Sequence, residues 1–393
     1  MENLKDLFLL SPEYRHLNHG SFGACPKAIF EDYQKWQLAL ERDPVDFFVN
    51  QGNVQLQKSK EALGNYINCD ADNLVYTMNP TWAINIIAKS LDMKPGDEIL
   101  ATNAEYGALD RTWKYYCDKA GAKYIQQEIP LPITTKEDFI EAFWKGYSEN
   151  TKAIFISQIT SMTATIFPVK EICDRAKELG LLTIVDGAHV PGHIPLDLQD
   201  LKADIYTGAC HKWMLTPKGC SFLYITPEHQ NDFDPVLISW GYEADVPGES
   251  KFLDYHQLQG TRDYSAFLTV PKAIDFLKTH DWWKVSAEAK NLILTNYEDL
   301  CDIFGTKPIV PVTSEWLGQI CSVPVHVSSA MDLKQALFND YKIEIPVFEL
   351  HGQVYLRLSA QAYVSQEDVD YLKNSLKEIK SNTSIIKVLN NQD

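Results

Sequence analysis

Short apolar runs alternate with amphipathic segments along the first part of the chain. The apolar runs, which predict strands, cover residues 73–77, 97–102, 122–129, 152–157, 181–185, 204–209 and 220–225. The amphipathic segments, which predict helices, cover residues 82–91, 107–121, 136–146 and 169–180. Short buried strands separated by helices are typical of a mostly parallel sheet with helices on its faces. The pattern therefore predicts a large α/β domain.

The pattern changes near Pro271. Helical spacing is found at 271–300, 331–341 and 365–380, and strand-like segments lie at 319–327 and 353–359. Strands separated by exposed helices favour an α+β domain with an antiparallel sheet.

These patterns predict two domains. The large α/β domain is expected to span residues 20–270, and the smaller C-terminal α+β domain to combine residues 271–393 with an N-terminal segment, 1–19. The tail at 382–393 is expected to be a loose end.

Composition and charge narrow the class of protein. The 393 residues are 45% hydrophobic and 23% charged, which is ordinary for a globular protein and argues against disorder. With 36 basic and 53 acidic residues, the formal charge is −17, so we expect no general nucleic-acid binding. No apolar run approaches the roughly 18 residues of a membrane span, and no signal-peptide pattern is found. We therefore expect no membrane partner.

The eight cysteines are sparse, and no two stand at CxxC spacing. The ten histidines include no HExxH pair. These features predict reduced thiols in a cytoplasmic protein and no metal site.

Two residues that follow apolar strands carry candidate chemistry. Asp186 comes directly after a strand in VDGAH, and Lys212 follows the next strand in TGACHKW. Taken alone, the first is an ordinary Asp-Gly turn and the second a surface charge. The apolar and aromatic neighbours of Lys212 favour a lysine that loses its charge readily, as covalent catalysis requires.

Together the two residues suit a site for pyridoxal 5′-phosphate (PLP). The lysine would bind the cofactor covalently, and the carboxylate would pair with the pyridinium nitrogen of its ring. A nicotinamide enzyme would instead need GxGxxG after an early strand, and this chain has neither that motif nor a P-loop.

Four ordered motifs carry a family resemblance: LNHGSFGACP at 17–26, VDGAH at 185–189, TGACHKW at 207–213 and QGTRD at 259–263. They resemble the class V aminotransferases, which are fold-type-I PLP enzymes, and most closely the isopenicillin N epimerase-like branch. The resemblance extends from about residue 14 to about residue 365.

The resemblance assigns roles around the cofactor. It implies that Lys212 binds PLP and that Asp186, with Ala188 beside it, holds the pyridine nitrogen. It places His189 and Ser161 at the phenolic oxygen of the ring. Alone, the first of these two would be a loop histidine and the second a capping serine.

Other residues are expected at the cofactor's phosphate and over its ring. His211 is expected at the phosphate, although by itself it could be a core histidine. The segment MNPTWAIN at 78–85 is the expected phosphate cradle, a helix start containing Pro80, Thr81 and Trp82. The proline cannot donate a hydrogen bond. Tyr106 is expected to stack on the ring or to pack in the core.

Residues outside the cofactor cradle are also assigned by the resemblance. Arg357 is implied to bind the α-carboxylate of an amino-acid substrate, with a structural ion pair as the alternative. Thr261, in QGTRD, is implied to reach the phosphate of a neighbouring subunit's cofactor, which predicts a homodimer with active sites at the interface. The alternative for this segment is a plain turn.

The sequence departs from the cysteine desulfurases of this family at one position, which helps to distinguish the possible reactions. Cysteine desulfurases carry a nucleophilic cysteine shortly before the carboxylate-binding arginine, and residues 342–355 contain none. Our leading hypothesis is epimerisation at Cα, with Lys212 as the first base and His19 or Tyr106 as the acid on the opposite face. A C–S β-lyase is the second hypothesis, a class V aminotransferase the third, and a non-enzymatic binding protein the rival from another class.

Overall fold

The computed structural model describes residues 4–382 and 384–386. Most of the tail that the sequence predicts to be loose therefore lies outside the described residues. The strands are β1 Arg15–His16, β2 Leu74–Thr77, β3 Glu98–Thr102, β4 Lys123–Gln127, β5 Thr151–Ser157, β6 Leu182–Gly187, β7 Ile205–Ala209, β8 Ser221–Ile225, β9 Ile320–Val325, β10 Ile343–Glu344, β11 Val347–Leu350 and β12 Gln353–Ser359.

The helices are distributed between and after these strands. They are α1 His19–Phe22, α2 Lys27–Arg42, α3 Pro44–Asp46, α4 Gly52–Ile67, α5 Pro80–Ser90, α6 Gly107–Ala120, α7 Lys136–Trp144, α8 Val169–Glu178, α9 Leu198–Leu201, α10 Lys251–Gln257, α11 Ser265–Leu268, α12 Val270–Thr279, α13 Trp282–Phe304, α14 Ala330–Asn339 and α15 Gln366–Asn382.

The largest sheet has seven strands in the order β2-β8-β7-β6-β5-β3-β4. Neighbouring strands pair in parallel from β7 to β4, and only β8 runs antiparallel to its neighbours. Core clusters contact this sheet on both faces, and β2, β3, β7 and β8 are buried along their whole length. These observations confirm the predicted α/β class and its mostly parallel sheet.

A second, antiparallel sheet has the order β11-β12-β9. The strands predicted at 319–327 and 353–359 are its members β9 and β12, and the predicted helix between them is α14. Near the N-terminus, β1 pairs in parallel with β10, which ties the first residues to the later part of the chain. The proposed domain boundary near Pro271 falls at the start of α12, and the division into domains stays a prediction.

Helices α2 and α4 and strands β10 and β11 are not predicted from the sequence. Helix α2 buries only Ile29 and Leu40, so its apolar stripe is weak. The buried face of α4 includes Gly52, Ser59 and Lys60, which interrupt the apolar repeat. Among the described residues, no helix is both long enough and apolar enough to cross a membrane.

Candidate active site

Lys212 and Asp186 meet at the carboxyl edge of the large sheet. Asp186 lies in β6, and β7 pairs with it in parallel register before the chain turns into the loop that carries Lys212. The backbone N–H of His211 donates to the Cys220 carbonyl at 3.0 Å and closes the end of the β7–β8 pair. Ligands of open α/β sheets bind at this edge. The fold therefore brings together the two residues on which the sequence argument depends.

The surroundings of Lys212 favour a neutral amine. Burial lowers the pKa of Lys212 to about 8, the Asp186 carboxylate opposes this shift, and the Arg357 guanidinium adds to it. Roughly a tenth of such amines are uncharged at pH 7, compared with well under a thousandth at an ordinary lysine pKa. The neutral form is the nucleophile that covalent catalysis needs.

The hydrogen bonds of His189 identify its tautomer. The indole N–H of Trp213 can only donate, and it lies 3.3 Å from Nδ1 of His189. Burial lowers the pKa of His189 well below its usual value, so the ring is neutral and its proton sits on Nε2. Nε2 lies 3.0 Å from Nζ of Lys212, and this contact is a hydrogen bond when the lysine amine accepts. The ring therefore presents an N–H donor to whatever group stands at the lysine.

A second buried carboxyl group, that of Glu105, lies near Asp186. Oδ1 of Asp186 accepts from the backbone N–H of Ala188 at 2.8 Å, and burial raises the pKa of Asp186. Glu105 accepts from the Thr102 hydroxyl at 2.7 Å and from the backbone N–H of Ser157 at 2.9 Å. Ser157 stands opposite Asp186 in the β5–β6 register, and burial raises the pKa of Glu105 to about 8. The loop before Tyr106 is thus anchored beside Asp186.

The segment that is expected to hold the phosphate lies at the start of α5. Pro80 is the first helical residue, and the Asn79 side chain caps the helix by accepting from the backbone N–H of Trp82 at 2.8 Å. Thr81 lies half-buried in this first turn. A helix start of this kind offers backbone N–H groups and the positive end of a dipole. His211 donates from Nδ1 to the Cys220 carbonyl at 2.7 Å, which leaves Nε2 for another group.

Arg357 is a buried cation with no acid partner among the described residues. Arg357 belongs to strand β12 and is only 4% exposed. Nη1 of Arg357 donates to the Ser161 carbonyl at 2.5 Å, and Nη2 donates to the Ser21 hydroxyl at 2.8 Å. No carboxylate of the described residues lies within ion-pair distance, and burial lowers the pKa of Arg357 to about 10. The structural ion pair considered from the sequence is therefore not found.

Tyr106 and His19, the two candidates for the second acid, differ in their exposure to solvent. Tyr106 is 44% exposed at the start of α6, and its phenol partly offsets the lowering of the Arg357 pKa by burial. His19 is buried, with Nδ1 3.0 Å from the Tyr363 hydroxyl and Nε2 3.1 Å from the Lys212 carbonyl. Because both ring nitrogens of His19 are engaged, its geometry favours a positioning role over direct contact with a substrate.

Thr261 is exposed, and no hydrogen bond found in the described part of the chain links it to the pocket of its own subunit. Its predicted role requires a second copy of the chain and stays a prediction.

Four residues of the site are not predicted from the sequence. Ser21 lies within LNHGSFGACP, Trp213 follows Lys212, and Glu105 precedes Tyr106. His193 donates from Nδ1 to the His189 carbonyl at 2.8 Å and stacks on Trp213 at a centroid distance of 4.0 Å. Each lies within or close to one of the sequence motifs, and this position in the chain is the signal that could have identified it.

The side chains of the site have the chemistry that is needed to bind PLP. A lysine with a lowered pKa, a buried carboxylate at a strand end and an N–H donor on His189 are the kinds of group that the aldehyde, the pyridine nitrogen and the phenolic oxygen of PLP would need. Together with the seven-stranded sheet, they define the class of protein as a fold-type-I PLP enzyme.

The chain belongs to the class V aminotransferase family. The sequence model of that family, described as "Aminotransferase class-V", matches residues 26–372. Because the family is PLP-dependent, the cofactor of this enzyme is pyridoxal 5′-phosphate.

Two curated relatives match nearly the whole chain. Isopenicillin N epimerase of Streptomyces clavuligerus is 29% identical over 386 residues, which cover 95% of this chain and 97% of the epimerase. L-cysteine desulfhydrase of Arabidopsis thaliana is 25% identical over 406 residues, which cover 92% of this chain and 87% of that protein.

Solved structures confirm the fold. The apo cysteine desulfurase of Thermococcus onnurineus NA1 superposes with a TM-score of 0.81 at 20% identity and covers 96% of this chain and 98% of its own. A variant of C-DES with glycine covalently linked to its PLP cofactor has a TM-score of 0.79 at 19% identity and covers 93% and 97% of the two chains.

Proposed function

We propose that this enzyme is an amino-acid epimerase of the isopenicillin N epimerase-like branch. The observation that carries the proposal is the buried Arg357, whose guanidinium donates to the Ser161 carbonyl and the Ser21 hydroxyl and has no acid partner among the described residues. A substrate carboxylate would supply that partner. Burial lowers the pKa of Lys212 to about 8, so its amine can accept the Cα proton, and Tyr106 is the proposed second proton carrier. Epimerisation requires two carriers, because the proton leaves one face of Cα and returns to the other.

Each residue would have a defined task in the reaction. PLP, when bound, supplies an electron-withdrawing ring that makes the Cα–H bond of the amino acid acidic. Asp186 would keep a proton on the ring nitrogen, and His189 would donate from Nε2 to the phenolic oxygen. Lys212 would accept the Cα proton at Nζ, and Tyr106 would return one from its hydroxyl.

The remaining predicted contacts would hold the cofactor and the substrate. Thr81, Trp82 and the backbone beside Pro80 would bind the phosphate together with His211. Ala188 would keep Asp186 in place, and Ser161 would approach the phenolic oxygen while its carbonyl orients Arg357.

The second candidate is a C–S β-lyase. The desulfhydrase relative over 92% of the chain favours it, and the reaction begins with the same proton removal at Cα. A desulfurase-type persulfide is disfavoured: Cys25 and Cys69 are half-buried with pKa values that burial raises to about 12, and the other six cysteines are buried. Transamination remains the third candidate, and a silent binding protein is disfavoured by the presence of Lys212, Asp186 and Arg357 together.

The reaction is tested by incubating the holoenzyme with a panel of amino acids in deuterated water. We expect deuterium at Cα together with inverted chirality. A keto acid with release of a thiol or sulfenate would establish the lyase instead, and a keto acid with pyridoxamine phosphate would establish the aminotransferase.

Tyr106→Phe should separate proton removal from inversion. Without the phenol, Lys212 still removes and returns the proton on one face, so deuterium enters with retained configuration while inversion falls by about 10²–10⁴-fold. Chiral chromatography and mass spectrometry measure both products. Tyr115→Phe, on the exposed face of α6, is the control. Inversion at the wild-type rate in Tyr106→Phe would exclude the phenol as the second acid.

We also propose that the active assembly is a homodimer with Thr261 near the partner's cofactor. Trp240 and Val246 are each 88% exposed, and Gly241 packs on the backbone of Asp254 and the side chain of Leu258, in the segment that leads to Thr261. Leu237 and Ile238 of the same segment are also exposed, and a group of exposed apolar side chains is typical of a protein interface.

Two variants separate assembly from cofactor binding. Trp240→Asp should shift the sedimentation coefficient from dimer to monomer, and Leu179→Asp, an exposed apolar position at the end of α8, should not. Thr261→Ala should leave the dimer intact and increase the dissociation constant of PLP several-fold, since one hydrogen bond to the phosphate is lost. An active wild-type monomer would contradict the proposal.

A cytoplasmic location remains part of the proposal. All eight cysteines are free thiols in the structure, as is usual for proteins of a reducing compartment.

A further inference from the structure

The short helix α1 packs between strand β12, which carries Arg357, and the loop that carries Lys212. A Cβ on Gly20 would lie 2.7 Å from the side chain of Ile320 and 3.0 Å from the Ser359 hydroxyl. A Cβ on Gly23 would lie 2.4 Å from the carbonyl oxygen of His211. Glycine at both positions allows the helix to contact the Arg357 strand on one side and the Lys212 loop on the other. Ser21, which lies between them, is therefore held in a fixed place.

Ser21 belongs to a chain of hydrogen bonds that ends at Arg357. The hydroxyl accepts from Nη2 of Arg357 at 2.8 Å and donates its single proton to Oδ1 of Asn18 at 2.6 Å. Nδ2 of Asn18 donates in turn to Oε1 of Glu344 at 3.2 Å. Because the serine proton is taken by Asn18, a lone pair of the hydroxyl always faces the guanidinium.

A neutral partner suits a cation that must bind a carboxylate. An acid in place of Ser21 would pair with Arg357 bidentately and compete with the substrate for the same fork. The serine orients one N–H group of Arg357 without cancelling the charge of the guanidinium. Glu344, the acid at the other end of this series of hydrogen bonds, is separated from Arg357 by the side chains of Ser21 and Asn18. The buried guanidinium thus keeps its charge for an incoming anion.

We propose that Ser21, oriented by Asn18, is a positioning residue that aims Arg357 at the α-carboxylate of the substrate. The inference rests on the proposed function, because it requires an amino acid to bind beside the cofactor. It adds the N-terminal segment to the determinants of carboxylate recognition.

The test compares two probes on the PLP-loaded dimer. L-Alanine carries the α-carboxylate, whereas L-alaninamide is the same amine without that charge. Their dissociation constants are measured from the change that each causes in the visible absorbance of the bound cofactor. The variants are Ser21→Ala, Asn18→Ala, Arg357→Ala and the double variant of Ser21 and Arg357. The dissociation constant of PLP is measured for each apoprotein.

Ser21→Ala should weaken L-alanine binding about tenfold, the loss expected for one hydrogen bond to a charged group. Asn18→Ala should weaken it less, and neither variant should change the affinity for L-alaninamide or for PLP. In the Arg357→Ala background, Ser21→Ala should have no further effect.

Three results would overturn the inference. Wild-type affinity for L-alanine in Ser21→Ala would show that Arg357 is oriented without the serine. A full tenfold loss that persists in the Arg357→Ala background would show that the serine acts directly on the ligand. An equal loss for both probes would show a general disturbance of the site. If the wild-type enzyme responds to neither these probes nor any other amino acid, the proposed function itself fails, and this inference fails with it.

Discussion

Lys212→Ala is expected to abolish the covalent link between protein and cofactor and to lower Cα–H exchange by at least about 10³-fold. The variant loses both the nucleophile and the base, and a positioned base alone contributes roughly 10²–10⁴-fold. The link is measured as PLP that stays attached after borohydride reduction and denaturation. Exchange is measured by mass spectrometry in deuterated water.

Lys218→Ala is the matched control, because Lys218 lies in the same loop and burial also lowers its pKa. It should retain the link. A link that persists in Lys212→Ala and disappears in Lys218→Ala would transfer the assignment to the second lysine.

The same lysine predicts a pH dependence that can be measured on the apoprotein. Its pKa lies near 8 in the folded state, below the ordinary 10.5, and the uncharged amine is the reactive form. The rate of PLP attachment should therefore rise with pH through a midpoint near 8. A midpoint above 10 would show that burial does not activate this amine.

Asp186→Asn should lower Cα–H exchange by about 10²–10³-fold, which corresponds to about 3–4 kcal/mol. The amide can still accept from the backbone N–H of Ala188, so the local turn is retained. It cannot keep a proton on the pyridine nitrogen, and the ring then withdraws electrons less strongly. Stopped-flow or isotope exchange measures the loss, and Asp174→Asn on the exposed side of α8 is the control.

Asp186→Asn should lower activity without lowering the stability of the apoprotein. Burial raises the pKa of Asp186, so the ionised carboxyl is less favourable in the folded apoprotein than in the unfolded chain at neutral pH. Asp186→Asn should therefore leave the melting temperature of the apoprotein unchanged or raise it. A large decrease in melting temperature together with lost activity would indicate a structural role for the carboxylate.

The sequence predicts most of the large sheet because its signal is local. Six of its seven strands are short apolar runs, the exception being the edge strand β4, and each of the predicted helices between them carries its own periodicity, so neighbouring residues suffice to identify most of them. The same local order places Asp186 and Lys212 after consecutive strands. Since parallel strands end at a common edge, the sequence predicts both side chains at that edge, and the pairing of β6 with β7 in the structure places them on neighbouring strands.

Helix α4 shows where the local signal fails. Its buried face carries Gly52, Ser59 and Lys60, and the Ser59 hydroxyl is satisfied by the Tyr76 hydroxyl and the Phe267 carbonyl from distant segments. A polar residue that is buried through distant partners interrupts the apolar repeat on which sequence prediction depends.

What the sequence by itself determined is the chemistry of the site: a lysine, a carboxylate, a helix start and an arginine, each within a recognisable motif. What only the tertiary structure decided is how their charges and protons are arranged. Ser21 and Arg357 are 336 positions apart in the chain and share a hydrogen bond, and Trp213 fixes the proton of His189 across 24 positions. Hydrogen-bond partners and desolvation depend on atoms brought together by packing, so neither can be read from residue order.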